Sequence, residues 1–380
     1  MVRIVLVYFD AGGGHRSAAT ALQEIIRQKM FPWQVDLLNL QELLDPIDVI
    51  RKVTRIRVQD VYNNMLRNDW TLGSPQLMRV LQLIVRLLHR PTVRLLEEHW
   101  REVQPDMVVS LVPHFNRALR ESFTKTAPGK PFVTVLTDIA DYPPHFWIER
   151  QDQFVVCGSD RAIQQAREKG HPDNHIFRTS GMILNPRFYG YKPIDRCLER
   201  KKHGLDATRI TGLVLFGGQG SRKKMLQIDE SLSHYPLPIQ LIFLCGKNER
   251  LAHDLRARKS SVPRLIEGFT PDVPYYMQLA DFLIGKPGPA SIAESLAMHL
   301  PVIVERNAWT LPQERYNTEW VSEKEVGLVV KSFSNIAEAV GRLLQPENFE
   351  RFRNNAAAME NRALFEIPEI LRGILSQTQS

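Results

Sequence analysis

The stretch Arg3-Ile-Val-Leu-Val-Tyr-Phe9, continued by Asp10-Ala-Gly-Gly-Gly-His-Arg16 and Ser17-Ala-Ala-Thr-Ala-Leu22, decides the fold class. Branched and aromatic residues read as a buried strand, the glycines as a tight turn, and the alanine-rich run as a helix. A strand that turns through glycine into a helix opens a parallel α/β sheet. The same rhythm returns at Val35 to Leu38, Met107 to Leu111, Phe132 to Thr137 and Gln153 to Cys157. A second series follows at Gly212 to Phe216, Ile239 to Leu244, Phe282 to Ile284, Val302 to Val304 and Gly327 to Val330. Between the series, Asn185-Pro-Arg-Phe-Tyr-Gly-Tyr-Lys-Pro193 reads as a linker. Beyond Lys331 the spacing of Ile336, Val340, Leu343 and Leu344 is helical. The expected architecture is α/β: two Rossmann-like, doubly wound domains, residues 1–187 and 188–360, facing across a cleft. A C-terminal helix over 361–380 is a candidate to cross back to the first domain. Ligands of such sheets sit beyond the carboxyl ends of the strands.

With 380 residues the chain is too long for one ordinary core, which agrees with two domains. No apolar run can cross a bilayer: Leu77 to Leu88 is interrupted by Arg79, Gln82 and Arg86. Because the first strand starts at once, no signal or transit peptide is expected, and the expected location is cytoplasmic. Cys157, Cys197 and Cys245 have neither metal-site nor disulfide-framework spacing and suit a reducing compartment. The net charge of +7 points to an anionic partner: nucleic acid, acidic lipid or a phosphorylated substrate. Nucleic acid is disfavoured, since no strand interleaves aromatic and basic residues as RNA-binding sheets do.

Between Leu43 and Glu102 the strand rhythm stops for a long, Arg-rich, mostly helical insertion. Within Gln76 to Arg90, Arg79, Gln82, Arg86 and His89 share one narrow face and nearly all else is apolar. Such a helix can lie in a membrane interface with Arg79, Arg86 and Arg90 near lipid phosphates, or it can be an ordinary domain helix with a solvated strip. The expectation adopted here is peripheral contact with the inner face of an anionic membrane.

Three features carry chemistry. Gly12, Gly13 and Gly14 let the backbone approach a ligand, and His15 could take a proton from a hydroxyl; spacing alone leaves open a plain turn with a capping histidine. A second glycine turn, Phe216-Gly-Gly-Gln-Gly-Ser221, opens the second domain and places Gly217, Gly218 and Gly220 as a phosphate cradle. The third is Ile284-Gly-Lys-Pro-Gly-Pro-Ala-Ser-Ile-Ala-Glu-Ser-Leu296 followed by Pro312-Gln-Glu-Arg-Tyr-Asn317. Ser291 is expected at a helix start facing a diphosphate, and Glu294 on that helix's first turn facing a ribose diol. Gln313 and Glu314 are hydroxyl-reading side chains. No Asp-x-Asp pair occurs, so no metal is expected, and backbone N–H groups and helix dipoles would neutralise the leaving diphosphate.

Together the Asp10-to-Ala19 block, Gly268-Phe269, the Lys286-to-Glu294 block and Gln313-Glu314 resemble the monogalactosyldiacylglycerol synthase group. The bacterial diacylglycerol glucosyltransferases and the lipid II N-acetylglucosaminyltransferase are similar in less detail. The resemblance implies a GT-B fold, inversion without metal or further cofactor, and a UDP-hexose held by the second domain. It implies His15 as general base, Glu294 at the ribose, Gln313 and Glu314 at the hexose, and Ser291 with the Gly217–Gly220 turn at the diphosphate. Phe269 joins the donor residues. Thr137-Asp138 stands where the group has a Thr-Asp pair, making Asp138 a candidate to orient His15 or contact the acceptor. Two departures are visible. Ala11 replaces a small polar residue, and Ile139-Ala-Asp-Tyr-Pro-Pro-His145 differs from the group's usual text, which bears on the acceptor. The expected function is hexose transfer, galactose or glucose, from UDP to a lipid, most simply diacylglycerol. The alternatives are transfer to a polyprenyl-linked acceptor and a UDP-sugar 2-epimerase of the same fold.

Overall fold

Strand β1, Val2–Tyr8, runs through the middle of a sheet: Ile4, Val5, Leu6 and Val7 are buried on both faces, as a central parallel strand requires. This computed structural model describes residues 1–10, 14–47, 82–235 and 237–378. The other strands of the first sheet are β2 (Trp33–Asn39), β3 (Met107–Ser110), β4 (Phe132–Val135), β5 (Phe154–Cys157) and β6 (Ile176–Arg178). Their order is β2-β1-β3-β4-β5-β6, all parallel. The second sheet comprises β7 (Ile210–Leu215), β8 (Ile239–Leu244), β9 (Arg264–Glu267), β10 (Phe282–Gly285), β11 (Val302–Glu305) and β12 (Gly327–Val330). It runs β12-β11-β10-β7-β8-β9, again parallel, the mirror listing of the doubly wound order 3-2-1-4-5-6.

Two strands, β6 and β9, were not legible as strands in the sequence. Both stand at a sheet edge, are only partly buried, and include arginine, so neither needs a continuous apolar run.

The chain divides into two units. Among the described residues, one comprises the sequence up to Pro186 together with Asn361 onwards, and the other Arg187–Glu360. In the first unit the helix Gly14–Gln28 buries Ala18, Ala19, Ala21, Leu22, Ile25 and Ile26, a stripe at helical spacing. The helix Ala363–Thr378 packs against it. Its entry is fixed by Asn361 Nδ2 donating to Met182 O (3.0 Å) and Ser180 N donating to Glu366 Oε2 (2.7 Å). Residues 89–103, read in the sequence as the end of an insertion, are a core helix instead. Val93, Leu96 and Trp100 are buried there, and Trp100 Nε1 donates to Ser122 Oγ at 2.9 Å. In the second unit, Arg200 lies buried with its guanidinium satisfied by Leu279 O and, at 2.7 Å, by Asp281. This pins the helix Arg196–Lys202 to the start of β10.

Candidate functional site

In the first unit the sheet reverses direction between β1 and β3. Val7 pairs with Ser110, so the segments leaving both strands emerge side by side. The helix begins at Gly14, three residues earlier than the sequence pattern placed it, so His15 lies in its first turn. Gly12 and Gly13 lie outside the described residues. His15 Nδ1 is 3.0 Å from Thr137 Oγ1, and the imidazole also meets the Leu111 backbone. Burial, only partly opposed by that backbone hydrogen bond, lowers its pKa from 6.5 to about 4, so the ring is neutral at pH 7.

The side-chain hydrogen-bond partner of the imidazole is thus Thr137. Asp138, the sequence candidate for that task, accepts Trp147 Nε1 at 2.9 Å, and the Trp147 ring lies 5.9 Å from that of His15. Trp147 is fully buried and held from three sides: its N–H donates to Asp141 Oδ1 (2.6 Å), and its carbonyl accepts Asn116 Nδ2 (2.9 Å). Asp138 therefore reaches His15 through an indole.

In the second unit the reversal lies between β7 and β10, where Leu215 pairs with Gly285. From β7 leaves the Gly217–Gly220 turn, and from β10 the Lys286–Gly288 turn. Gly220 has φ +63°, and a Cβ there would come within 2.6 Å of Cys245 O; Gly246 has φ +59°, and its Cβ would overlap Gly218 O. Only glycine fits either place. Lys247 N donates to Gly218 O (2.9 Å) while its ammonium sits 5.6 Å from the exposed ring of Phe269. The glycine turn, Lys247 and Phe269 are therefore one connected surface.

Gly288 caps the helix Pro289–Ala297, with Ser291 buried in its first turn. Glu294 is its sixth residue, in the second turn rather than the first, because the helix starts at Pro289. It is partly buried, and burial pushes its carboxyl from 4.5 up to about 7. Gln313 and Glu314 open the helix Pro312–Glu323. Glu314 is buried, and Lys286 Nζ lies 3.7 Å from its Oε1. Asn317, one turn further, donates to Pro287 O at 2.8 Å and ties this helix to the β10 turn.

Residues 212–366 match the glycosyltransferase family 28 C-terminal domain. The chain is a glycosyltransferase that carries a family 28 C-terminal domain. The probable monogalactosyldiacylglycerol synthase 3, chloroplastic, of Oryza sativa subsp. japonica is 26% identical to it, over 99% of this chain and 76% of that protein. Among solved structures, Acinetobacter baumannii MurG aligns at TM-score 0.65 and 11% identity, covering 98% of this chain and all of that one. A UDP-GlcNAc 2-epimerase from Neisseria meningitidis, bound to UDP-GlcNAc, aligns at 0.58 and 14% identity, over 98% of this chain and 100% of that one. These likenesses show the fold, which is GT-B.

Several residues of the glycosyltransferase escaped the sequence reading as site groups: Trp147, Lys247, Lys286 and Asn317. Asn317 was findable, since it follows Glu314 by three and so shares its helix face. Trp147 was not, because its contacts span sequence distances that no local spacing encodes.

Residues 82–87 are helical, with Leu83 (55%) and Leu87 (72%) exposed, four residues apart on one face. Arg86 and Arg90 are exposed as well, while His89 is bonded to Glu121 at 2.7 Å. Arg79 lies outside the described residues. No helix among the described residues is long and apolar enough to cross a membrane.

Proposed function

We propose that this glycosyltransferase moves a hexose, galactose or glucose, from UDP to the hydroxyl of a lipid, diacylglycerol, with inversion at the anomeric carbon. The observation that carries the donor half is the meeting of two phosphate-type turns at one reversal point, with Ser291, Glu294 and Glu314 on the helices that follow. The acceptor half rests on relatives named for monogalactosyldiacylglycerol synthesis that align over nearly the whole chain.

In this reading the Gly217–Gly220 turn and the Ser291 helix start take the diphosphate, Glu294 the ribose diol, and Phe269 the base. Gln313 and Glu314 read the hexose hydroxyls. The acceptor oxygen attacks the anomeric carbon as the bond from that carbon to the phosphate oxygen breaks; UDP leaves with the bonding pair. The acceptor's proton passes to His15, whose neutral ring is able to accept it. Backbone N–H groups offset the charge that grows on the leaving diphosphate. Trp147 and Asp138 hold the imidazole's surroundings, and Leu83, Leu87, Arg86 and Arg90 meet the surface of an anionic membrane that carries the acceptor.

Radiolabelled UDP-galactose and UDP-glucose, each given with diacylglycerol in anionic vesicles, test this. A labelled glycolipid is expected from one of them. Sugar inverted at C2 with no labelled lipid would replace the proposal with an epimerase.

A further inference from the structure

The contact between Lys286 and Glu314 is unusual for a buried carboxylate. Glu314 is only 8% exposed, yet its side chain receives no hydrogen bond among the described residues. Its ion pair with Lys286 spans 3.7 Å, beyond hydrogen-bond reach. A carboxylate this little exposed, with only a loose ion pair, keeps most of its accepting capacity open to a ligand that donates to it. Lys286 is the more exposed member, at 37% of its side chain, and it stands between two turns. Its Cε is 3.7 Å from where a Gly217 Cβ would be and 3.1 Å from that of Gly288. The same ideal Gly288 Cβ lies 3.6 Å from Glu314 Oε1. One ammonium is therefore within a side-chain swing of both glycine turns and of the carboxylate. Asn317 holds Pro287 O and so fixes the backbone from which Lys286 projects.

We propose that Lys286 takes the donor's diphosphate in exchange for Glu314, so that arrival of the diphosphate frees the carboxylate to accept hydrogen bonds from the hexose. This rests on the UDP-sugar reading above and adds a coupling to it: the diphosphate is sensed first, and hexose recognition follows. The exchange is electrostatically sensible. An ammonium can form short, charge-assisted bonds with phosphate oxygens, which its loose contact with Glu314 does not provide. Glu314, once relieved of its cation, has its full accepting capacity for sugar hydroxyls.

Calorimetric titration of the intact chain with UDP and, separately, with uridine tests the exchange. Lys286→Gln should weaken UDP binding roughly tenfold or more, the scale of hydrogen bonds to charged groups, and leave uridine binding unchanged. Glu314→Gln should tighten UDP binding several-fold, because the ammonium no longer has an internal competitor; this arm does not depend on the lysine variant folding. Equal losses for UDP and uridine in Lys286→Gln, or no loss, would overturn the role of Lys286 while leaving the donor reading intact. Weaker UDP binding by Glu314→Gln would overturn the exchange. Absence of UDP binding by the unsubstituted chain would remove the donor reading and the exchange together.

Discussion

The two reversal points of the two sheets obey one topological rule and are furnished in opposite ways. At the β1/β3 point stands a single imidazole, walled by Thr137, Leu111 and Trp147. At the β7/β10 point stand two glycine turns, two lysines and two carboxylates. Burial acts on a titratable group at each, and in both it favours the neutral form. For His15 that is the form a base needs. For Glu294 it is the form with less accepting capacity, so a ligand that donates to the carboxylate must reverse what burial has done. The first point presents a neutral base; the second presents a carboxyl that burial holds partly neutral.

The linkages differ in sign accordingly. His15 has a folded pKa near 4 against 6.5 unfolded, so between these values the unfolded chain binds more protons and stability falls as pH falls. Glu294 has a folded pKa near 7 against 4.5, so there the folded chain binds more protons and stability falls as pH rises.

The sharpest way to break this contrast is His15→Ala. Turnover should fall by about 10²–10⁴-fold, the usual contribution of a positioned base, while UDP affinity stays unchanged. Retained turnover would leave the β1/β3 point without a catalytic role. Next in size is Gly246→Ala: the added methyl overlaps Gly218 O, so the Gly217–Gly220 turn must shift. UDP affinity should drop about tenfold or more, while His15 keeps its low pKa by NMR titration. Glu294→Gln should weaken UDP binding by several-fold and also raise the melting temperature above pH 7, where the wild-type carboxylate is charged and buried. A variant less stable at pH 8 would contradict the sign derived for this group. The smallest expected effect is at the helix that exposes Leu83 and Leu87. Leu83→Ser with Leu87→Ser should reduce binding to anionic vesicles a few-fold, without altering UDP affinity.

Most of this architecture is written in short-range patterns. Eight of the ten strands read from the sequence are central parallel strands, buried on both faces and so mainly apolar, as Phe282–Gly285 shows; the edge strands β2 and β12 were legible from the short apolar runs Val35–Leu38 and Gly327–Val330. The edge strands β6 and β9 lacked that pressure. The glycine turns were legible because φ near +60° and backbone contact leave little choice of residue at Gly220. What escaped was the company the site residues keep. Trp147 Nε1 donates to Asp138, and its backbone is held by Asp141 of the same β4–β5 segment and by Asn116 of the helix Asn116–Thr126, a set no local spacing encodes. Glu294 was placed a turn too early because Pro289, the first helical residue, sits only five positions before it. Lys286 was inside a quoted motif, but nothing local says that Glu314, on another helix, is its partner.

The most direct test of the account is a crystal structure of the chain with UDP bound. The account predicts phosphate oxygens against Lys286, Ser291 and the Gly217–Gly220 turn, the ribose diol on Glu294, and uracil beside Phe269. UDP bound elsewhere, or oriented with its diphosphate away from the two glycine turns, would contradict it.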